Sequence, residues 1–297
     1  LKSRLRLGGF YVGWVADCTG EVVVHERWAW ATPASQWCGL PLADVDDLVA
    51  SPGCSPPPEA TREWIVPGVA HLRGIGGTGW SSDLVLANPG PEEVQVELRL
   101  LRDAIAKSTV EVALPGGATV TLADVVRTTF DTTGAGAVRV RSPGDVVVVG
   151  RTIADTDAGV FRQHLPAIPP GDAAHDLAPA HLLPVEQNAD RRTNLQLVNL
   201  TSSRARVRVV ASGPDEERLG ERIFRMLPGE VRTSSRILEA LGADDVAGAR
   251  IEVHALTGRT RVLPIASVVD RSTGDAVLIP PRLVTFATDS VVVTDRK

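Results

Sequence analysis

Asp83-Leu84-Val85-Leu86-Ala87-Asn88 returns 111 residues later as Asn194-Leu195-Gln196-Leu197-Val198-Asn199, and the chain around each stretch repeats with it. Ile65-Val66-Pro67 is answered by Leu177-Ala178-Pro179, Leu114-Pro115-Gly116 by Leu227-Pro228-Gly229, and Gly136-Ala137 by Gly248-Ala249. Ile153-Ala154-Asp155 with Gly159 is answered by Val268-Val269-Asp270 with Gly274, and Ile168-Pro169-Pro170 by Ile279-Pro280-Pro281. The six landmarks keep their order, and their offset drifts by only a few residues, as loop insertions produce. Internal self-similarity of this kind marks a chain built from repeated units. It divides the sequence into a segment 1–63 ending in a Pro-rich linker, a module 64–170, a module 177–282 and a tail 283–297.

Within each copy the apolar residues recur at every second position. Val94, Val96, Leu98 and Leu100 alternate with Glu93, Gln95, Glu97 and Arg99; Val207 and Val209 alternate with Arg206 and Arg208. Such alternation describes half-buried antiparallel strands, one face packed and one solvated. Val146–Val149 is apolar throughout and is expected in mid-sheet with both faces covered. Turns separate the strands at Asn88-Pro89-Gly90-Pro91, Leu114-Pro115-Gly116-Gly117, Ser142-Pro143-Gly144-Asp145 and Leu227-Pro228-Gly229, where Pro presets φ and Gly accepts φ > 0. One short helix per copy is expected, at about 122–129 and 236–241. Gly171-Asp172-Ala173-Ala174 reads as a short linker. The fold class is therefore all-β: two tandem antiparallel β-sandwich domains behind a short N-terminal β-hairpin and extended segment.

The first 63 residues differ. They contain all three cysteines, Cys18, Cys38 and Cys54, and the tryptophans Trp14, Trp28, Trp30 and Trp37. Phe10–Ala16 and Glu21–Trp28 read as strands of a hairpin around Asp17-Cys18-Thr19-Gly20. The cysteines are disulfide candidates, with one bridge through Cys38 favoured because so small a segment needs a staple; three free thiols are the alternative. Their spacing does not suit zinc.

The runs VPGVAHLRGIGGTGWSSDLVLANPGPEEVQVEL, LPGGATVTLADVV, GAVRVRSPGDVVVVGRTIAD and GVFRQHLPAIPP resemble a tandem Ig-like β-sandwich module of secreted and surface bacterial proteins. RTNLQLVNLTSSRARVRVV, LPGE, GARIEV and ASVVDRSTGDAVLIPP carry the likeness through the second copy, so that it spans about residues 64–282. SPGDVVVVGRTIAD is also faintly similar to the sensory rhodopsin transducer family. The resemblance implies the sandwich fold and an extracellular or cell-surface placement, with a signal peptide not present in this chain. It transfers no catalytic residue.

A net charge of −5 argues against sequence-independent nucleic-acid binding, and no apolar run approaches a membrane-spanning helix. Gly74-Ile-Gly-Gly-Thr-Gly79 leads into a strand rather than a helix, so it reads as an inter-strand loop and not a phosphate cradle. The six histidines never fall in a metalloprotease spacing, and no G-x-S-x-G occurs. Asp155 with Asp157, and Asp270 with Asp275, sit in matching loops and are the candidate calcium ligands, although their spacing departs from calcium-loop patterns and aspartate is a common turn former. No other cofactor is expected. Trp28, Trp30 and Trp37 are the candidates for stacking on a sugar, against the alternative of a small aromatic core.

The expectation is a non-catalytic structural or interaction protein of the bacterial surface, an appendage or a larger complex, whose sandwiches serve as spacers and docking surfaces. Its partners would be other protein subunits or copies of itself, joined by strand addition at sheet edges, for which Phe10–Ala16 and Val291–Val293 are β-prone. The alternative is a carbohydrate- or ligand-binding accessory region of a secreted enzyme whose catalytic domain is absent here.

Overall fold

The computed structural model describes residues 4–7, 10–16, 22–25, 61–74, 78–102, 109–157, 159–258 and 260–284. They fall into two units, Leu1–Thr61 and Arg62–Lys297. The first unit contains an antiparallel meander of β1 (Arg4–Leu7), β2 (Phe10–Ala16) and β3 (Val22–His25). Trp14 pairs with Val24 and Val15 with Val23, so the expected hairpin forms, and β1 adds a third strand that the sequence reading did not include. Cys18, Cys38, Cys54, Trp28, Trp30 and Trp37 lie outside the described residues, as does Val291–Val293.

The second unit holds two antiparallel β-sandwiches. The first is made of β4 (Arg62–Arg73), β5 (Gly79–Ala87), β6 (Val94–Leu101), β7 (Thr109–Leu114), β8 (Thr119–Leu122), β9 (Gly134–Ser142), β10 (Val147–Thr156) and β11 (Gly159–Pro166). One layer runs β7-β6-β9-β4 and the other β8-β5-β10-β11, with the end of β4 also pairing with β5. The second sandwich follows with β12 (Ala180–Gln187), β13 (Arg191–Asn199), β14 (Ala205–Ser212), β15 (Arg218–Met226), β16 (Val231–Ser234), β17 (Val246–Ala255), β18 (Val262–Asp270), β19 (Ala276–Ile279) and β20 (Arg282–Leu283). Its layers run β15-β14-β17-β12-β20 and β16-β13-β18-β19. Strand for strand the two orders correspond, β20 being the one addition. Leu283, assigned by the sequence reading to a separate tail, is paired with Ala180 and packs on the second core.

Strand register corrects the landmark at Ile65-Val66-Pro67. Trp64 faces Val140 and Val66 faces Val138, while Ala180 faces Val253 and Leu182 faces Ile251. Val66 is thus matched by Leu182 rather than by Ala178, and Leu177 stands 82% exposed ahead of β12.

Both ends of the repeated hexapeptide hold turns. Asn88 and Asn199 are 3% and 0% exposed. Asn88 Nδ2 donates to the carbonyls of Glu92 (2.7 Å) and Leu114 (3.0 Å), and Asn199 Nδ2 donates to those of Ser203 and Leu227 (both 2.8 Å). Each Oδ1 accepts a backbone N–H two residues on, from Gly90 and Thr201. One buried amide thereby ties the β5–β6 or β13–β14 turn to the Leu-Pro-Gly turn beyond it, and satisfies carbonyls that would otherwise be stranded. At the other end, Asp83 Oδ1 accepts the Asp124 N–H (3.0 Å) and Asn194 Oδ1 the Arg236 N–H (3.3 Å). Asp124 and Arg236 have φ of 46° and 49° and open the helical turns Val125–Thr128 and Ile237–Ala240. Those turns are shorter than the helices expected from sequence. They nevertheless bury Val125, Val126, Ile237 and Leu238 under the layers.

The two sandwiches share a core. Ile65, Leu101, Ala137 and Ile168 of the first pack with Ala173, Val198, Leu263 and Ile265, all nearly inaccessible to solvent. The segment read as a linker takes part in it. Pro170–Asp172 forms a 3-10 turn and Ala173 and Ala174 are fully buried. Ile168 exchanges two backbone hydrogen bonds with Ile65 (2.8 and 2.9 Å), and Ala174 two with Val262 (2.9 and 3.0 Å). Consequently β18 is covered on both faces, buried without interruption from Val262 to Ala266. Val146–Val149, expected to be doubly covered, is not: Val147 is 55% exposed.

Asn199→Ala leaves the carbonyls of Ser203 and Leu227 and the N–H of Thr201 without their partner. We expect it to lower unfolding stability by about 2–4 kcal/mol, measured from denaturant midpoints, with Asn88→Ala similar.

Candidate functional site

The junction that buries these residues opens at one end into a cleft of about 180 Å³. Each wall is mainly one sheet face, with Gly68, Ala70 and Ala135 of β4 and β9 at its edge, and the register sets out its rows. On the first sandwich the inner face of the β5-β10-β11 layer runs past its own core. Leu84, Gly150 and Leu165 form one row, Ser82, Thr152 and Gln163 the next, and Trp80, Ala154 and Phe161 the last. On the second sandwich the outer face of the β13-β18-β19 layer supplies Gln196 beside Ile265, then Asn194, Ser267 and Leu278, then Arg192, Val269 and Ala276. Period-2 alternation puts Leu195 and Leu197 into the second core and turns Asn194 and Gln196 toward the cleft.

Part of this polarity is structural. A chain of hydrogen bonds runs from the Ala70 N–H to Ser82 Oγ (2.9 Å), on to Thr152 Oγ1 (3.0 Å), and ends on the Gly68 carbonyl (3.1 Å). Gly68 sits at φ +74° in a bulge of β4, a conformation that favours glycine. There its N–H reaches Gln196 Oε1 on the other sandwich (3.0 Å), while Gln196 Nε2 approaches the Gly136 carbonyl at 3.5 Å. Outside the cleft, Arg139 completes the junction. Its side chain is 11% exposed, and Nη2 donates to the Leu200 carbonyl (3.0 Å). Its Nε lies 3.1 Å from Glu63 Oε1, close enough for an ion pair but not aligned for a hydrogen bond. Burial lowers the Arg139 pKa, an effect that Glu63 opposes.

Other groups on the cleft have no partner. Gln163 Nε2 is buried without a hydrogen bond, and so is Arg192 Nε. Burial is the largest cause lowering the Arg192 pKa; Arg236 and Arg271 add to it, and no carboxylate counters them. The lining contains no acidic residue. A smaller lobe continues past Trp80, Phe161 and Gln163 toward Gly274 and Asp275. Of these cleft residues only Asp275 is a candidate from sequence, and there as a calcium ligand; the stacking candidates are Trp28, Trp30 and Trp37. The signal that could have found them is the apolar run Val262-Leu263-Pro264-Ile265-Ala266, too continuous for a strand with one wet face.

The candidate calcium ligands lie at strand ends and turns. Asp155 ends the β5–β10 ladder, Asp157 is in the turn, and both are exposed. The Asp270 carboxylate accepts Ser272 Oγ (2.6 Å) and the N–H groups of Ser272 (2.9 Å) and Thr273 (3.0 Å), which lower its pKa to about 2. Asp275 Oδ1 accepts the Ala276 N–H. Among the described residues no group of three or more His, Cys, Asp or Glu is placed to hold a metal ion. His71 Nδ1 lies 2.8 Å from Asp124 Oδ2, and Asp83 pairs with Arg151. The nearby Ser82 hydroxyl is fully buried in the chain described above. Among the described residues no helix is long and apolar enough to cross a membrane.

No family model and no curated protein matches the chain. Among solved structures, it is similar to Thermotoga maritima 1070 at 14% identity and a TM-score of 0.30, covering 35% of this chain and 92% of that one. A Pleurotus ostreatus lectin in complex with GalNAc aligns at 8% identity and a TM-score of 0.22, covering 79% and 82%. A calcium-binding mutant of Bacteroides uniformis β-glucuronidase 2 aligns at 10% and 0.16, covering 75% and 28%. Likenesses this slight say nothing about activity.

The Asp270 turn makes a pH prediction. Its carboxylate pKa is depressed in the fold, so its hold on the Ser272–Thr273 turn is complete above the ordinary value of 3.8 and is lost as pH falls through about 2. Carboxylate NMR titration should place its midpoint near 2, and Ser272→Ala should raise that midpoint.

Proposed function

We propose that this chain is a non-catalytic interaction module, in which two duplicated β-sandwiches act as one rigid body that presents docking surfaces to protein partners at a bacterial cell surface or in an extracellular assembly. The observation that carries this reading is the shared apolar junction. Ile65, Ile168, Ala173, Leu263 and Ile265 are buried between the sandwiches, and the connecting residues are hydrogen-bonded to both. A flexible tether would leave such residues wet. Surface placement draws its support from the sequence resemblance alone.

Strand edges supply docking surfaces. The outermost strand β7, Thr-Val-Glu-Val-Ala-Leu, carries a single charge, whereas its counterpart β15 carries Arg218, Glu221, Arg222 and Arg225. Charged edges resist strand addition, so β7 is the edge better suited to accept a partner strand. A second reading, ligand binding by an accessory region, is favoured by the cleft with Trp80 and its unpartnered donors.

Backbone ¹⁵N relaxation on the full chain tests the rigid body. Residues of the two sandwiches should share one rotational correlation time. Ile265→Glu buries an unpaired carboxylate in the junction and should give the sandwiches separate correlation times while both keep their β-sheet amide dispersion. Two correlation times in the unaltered protein would overturn the reading.

A further inference from the structure

We infer that the cleft between the sandwiches is a binding site for a small organic carboxylate of about one ring in size, anchored by the Arg192 guanidinium and the Gln163 side-chain amide. The inference goes beyond the docking role and does not require it.

Charge comes first. The chain is net acidic at −5, yet the main part of the cleft is lined by one cation and no anion, Arg162 and Asp275 standing in the smaller lobe beyond it. Other arginines of the first sandwich are answered: Arg139 and Arg141 share Glu63, and Arg151 has Asp83. The Arg192 guanidinium forms no ion pair or hydrogen bond among the described residues, and the charges that act on it, Arg236 and Arg271, are also positive. A guanidinium partly removed from water beside two like charges gains from an anion that presents two oxygens to its planar fork.

Polar complementarity comes second. Gln163 Nε2, across the cleft, is a buried donor without an acceptor, which native structures seldom leave unanswered. Asn194 uses Oδ1 on the Arg236 N–H, which leaves its Nδ2 to donate. Ser267 and Thr233 add hydroxyls. The donors come from both walls, so a ligand seated between them meets both sandwiches.

Size and apolarity come third. A cleft of about 180 Å³ is smaller than a drug-sized pocket and suits a single ring. Trp80, Ile265, Val269, Leu278 and Ala70 would cover the body of such a ring. An apolar lining of this extent favours a ring-bearing carboxylate over a bare inorganic anion, which has no apolar surface to bury.

The same fold shows why the first sandwich has no such site of its own. There Asp83 stands where Asn194 stands in the second, and opposite it Arg151 stands where Ser267 does. The first pair is an ion pair closed on itself. Its counterpart is neutral and leaves Asn194 Nδ2 and the Ser267 hydroxyl to the cleft, Asn194 Oδ1 being held by the Arg236 N–H.

Isothermal titration of the full chain with D-glucuronate and with benzoate, against D-glucose and inorganic phosphate, tests the inference. At least one carboxylate should bind at one site per chain, and Arg192→Met should weaken it about tenfold or more. Gln163→Leu should weaken it less. Side-chain amide resonances of Gln163 and Asn194 should shift on titration, a readout that holds even should Arg192→Met fold poorly. The inference is overturned if neither carboxylate binds at about 10 mM, if glucose or phosphate binds as tightly as the carboxylates, if folded Arg192→Met binds as the unaltered protein does, or if the shifts fall away from the cleft.

Discussion

Burial of one sheet on both faces governs the second unit. The β16-β13-β18-β19 layer packs its inner side on Ala180, Val207, Ile251 and Ile237, as any sandwich layer does. Its outer side carries Val198, Leu263 and Ile265, which no solvated face would favour, and these are covered by Ile65, Leu101, Ala137 and Ile168 of the preceding sandwich. Removing that cover would expose apolar area worth roughly 25 cal/mol per Å². The cleft, the bulge at Gly68 and the inward turn of Ala173 all follow from keeping that face dry.

Much of this was legible from the chain alone. Alternation in Val94–Leu100 and Val207–Val209 specifies strands with one buried face, and the Pro-Gly turns place their ends. The repeated hexapeptide pointed to paired elements because each of its polar ends has a fixed task, Asp83 or Asn194 on a helical turn and Asn88 or Asn199 on a strand turn. A pattern that recurs with the same hydrogen bonds recurs because the backbone needs it.

What escaped was contact between elements distant in sequence. Continuous apolarity in Val146–Val149 and in Val262–Ala266 looks alike on paper, yet Val147 is wet and Leu263 is dry. The difference lies in whether another sandwich arrives, which depends on a glycine with positive φ 195 residues earlier, at Gly68, and on its bond to Gln196. Gly171-Asp172-Ala173-Ala174 misleads similarly: small residues serve a flexible tether, and they serve equally where two backbones must come close. Trp80 could not be singled out because its surroundings come from both halves of the chain.

The stitched connection between the sandwiches has a mechanical consequence. Ile168 is bonded on one side to Ile65, and six residues later Ala174 is bonded to Val262, so the chain between them can pay out only what the Pro170–Asp172 turn uncoils. Tension drawn through the second unit meets paired backbone on both sides of the joint, and beyond that turn the joint lengthens only by tearing those bonds. Built this way, two domains pull as one link.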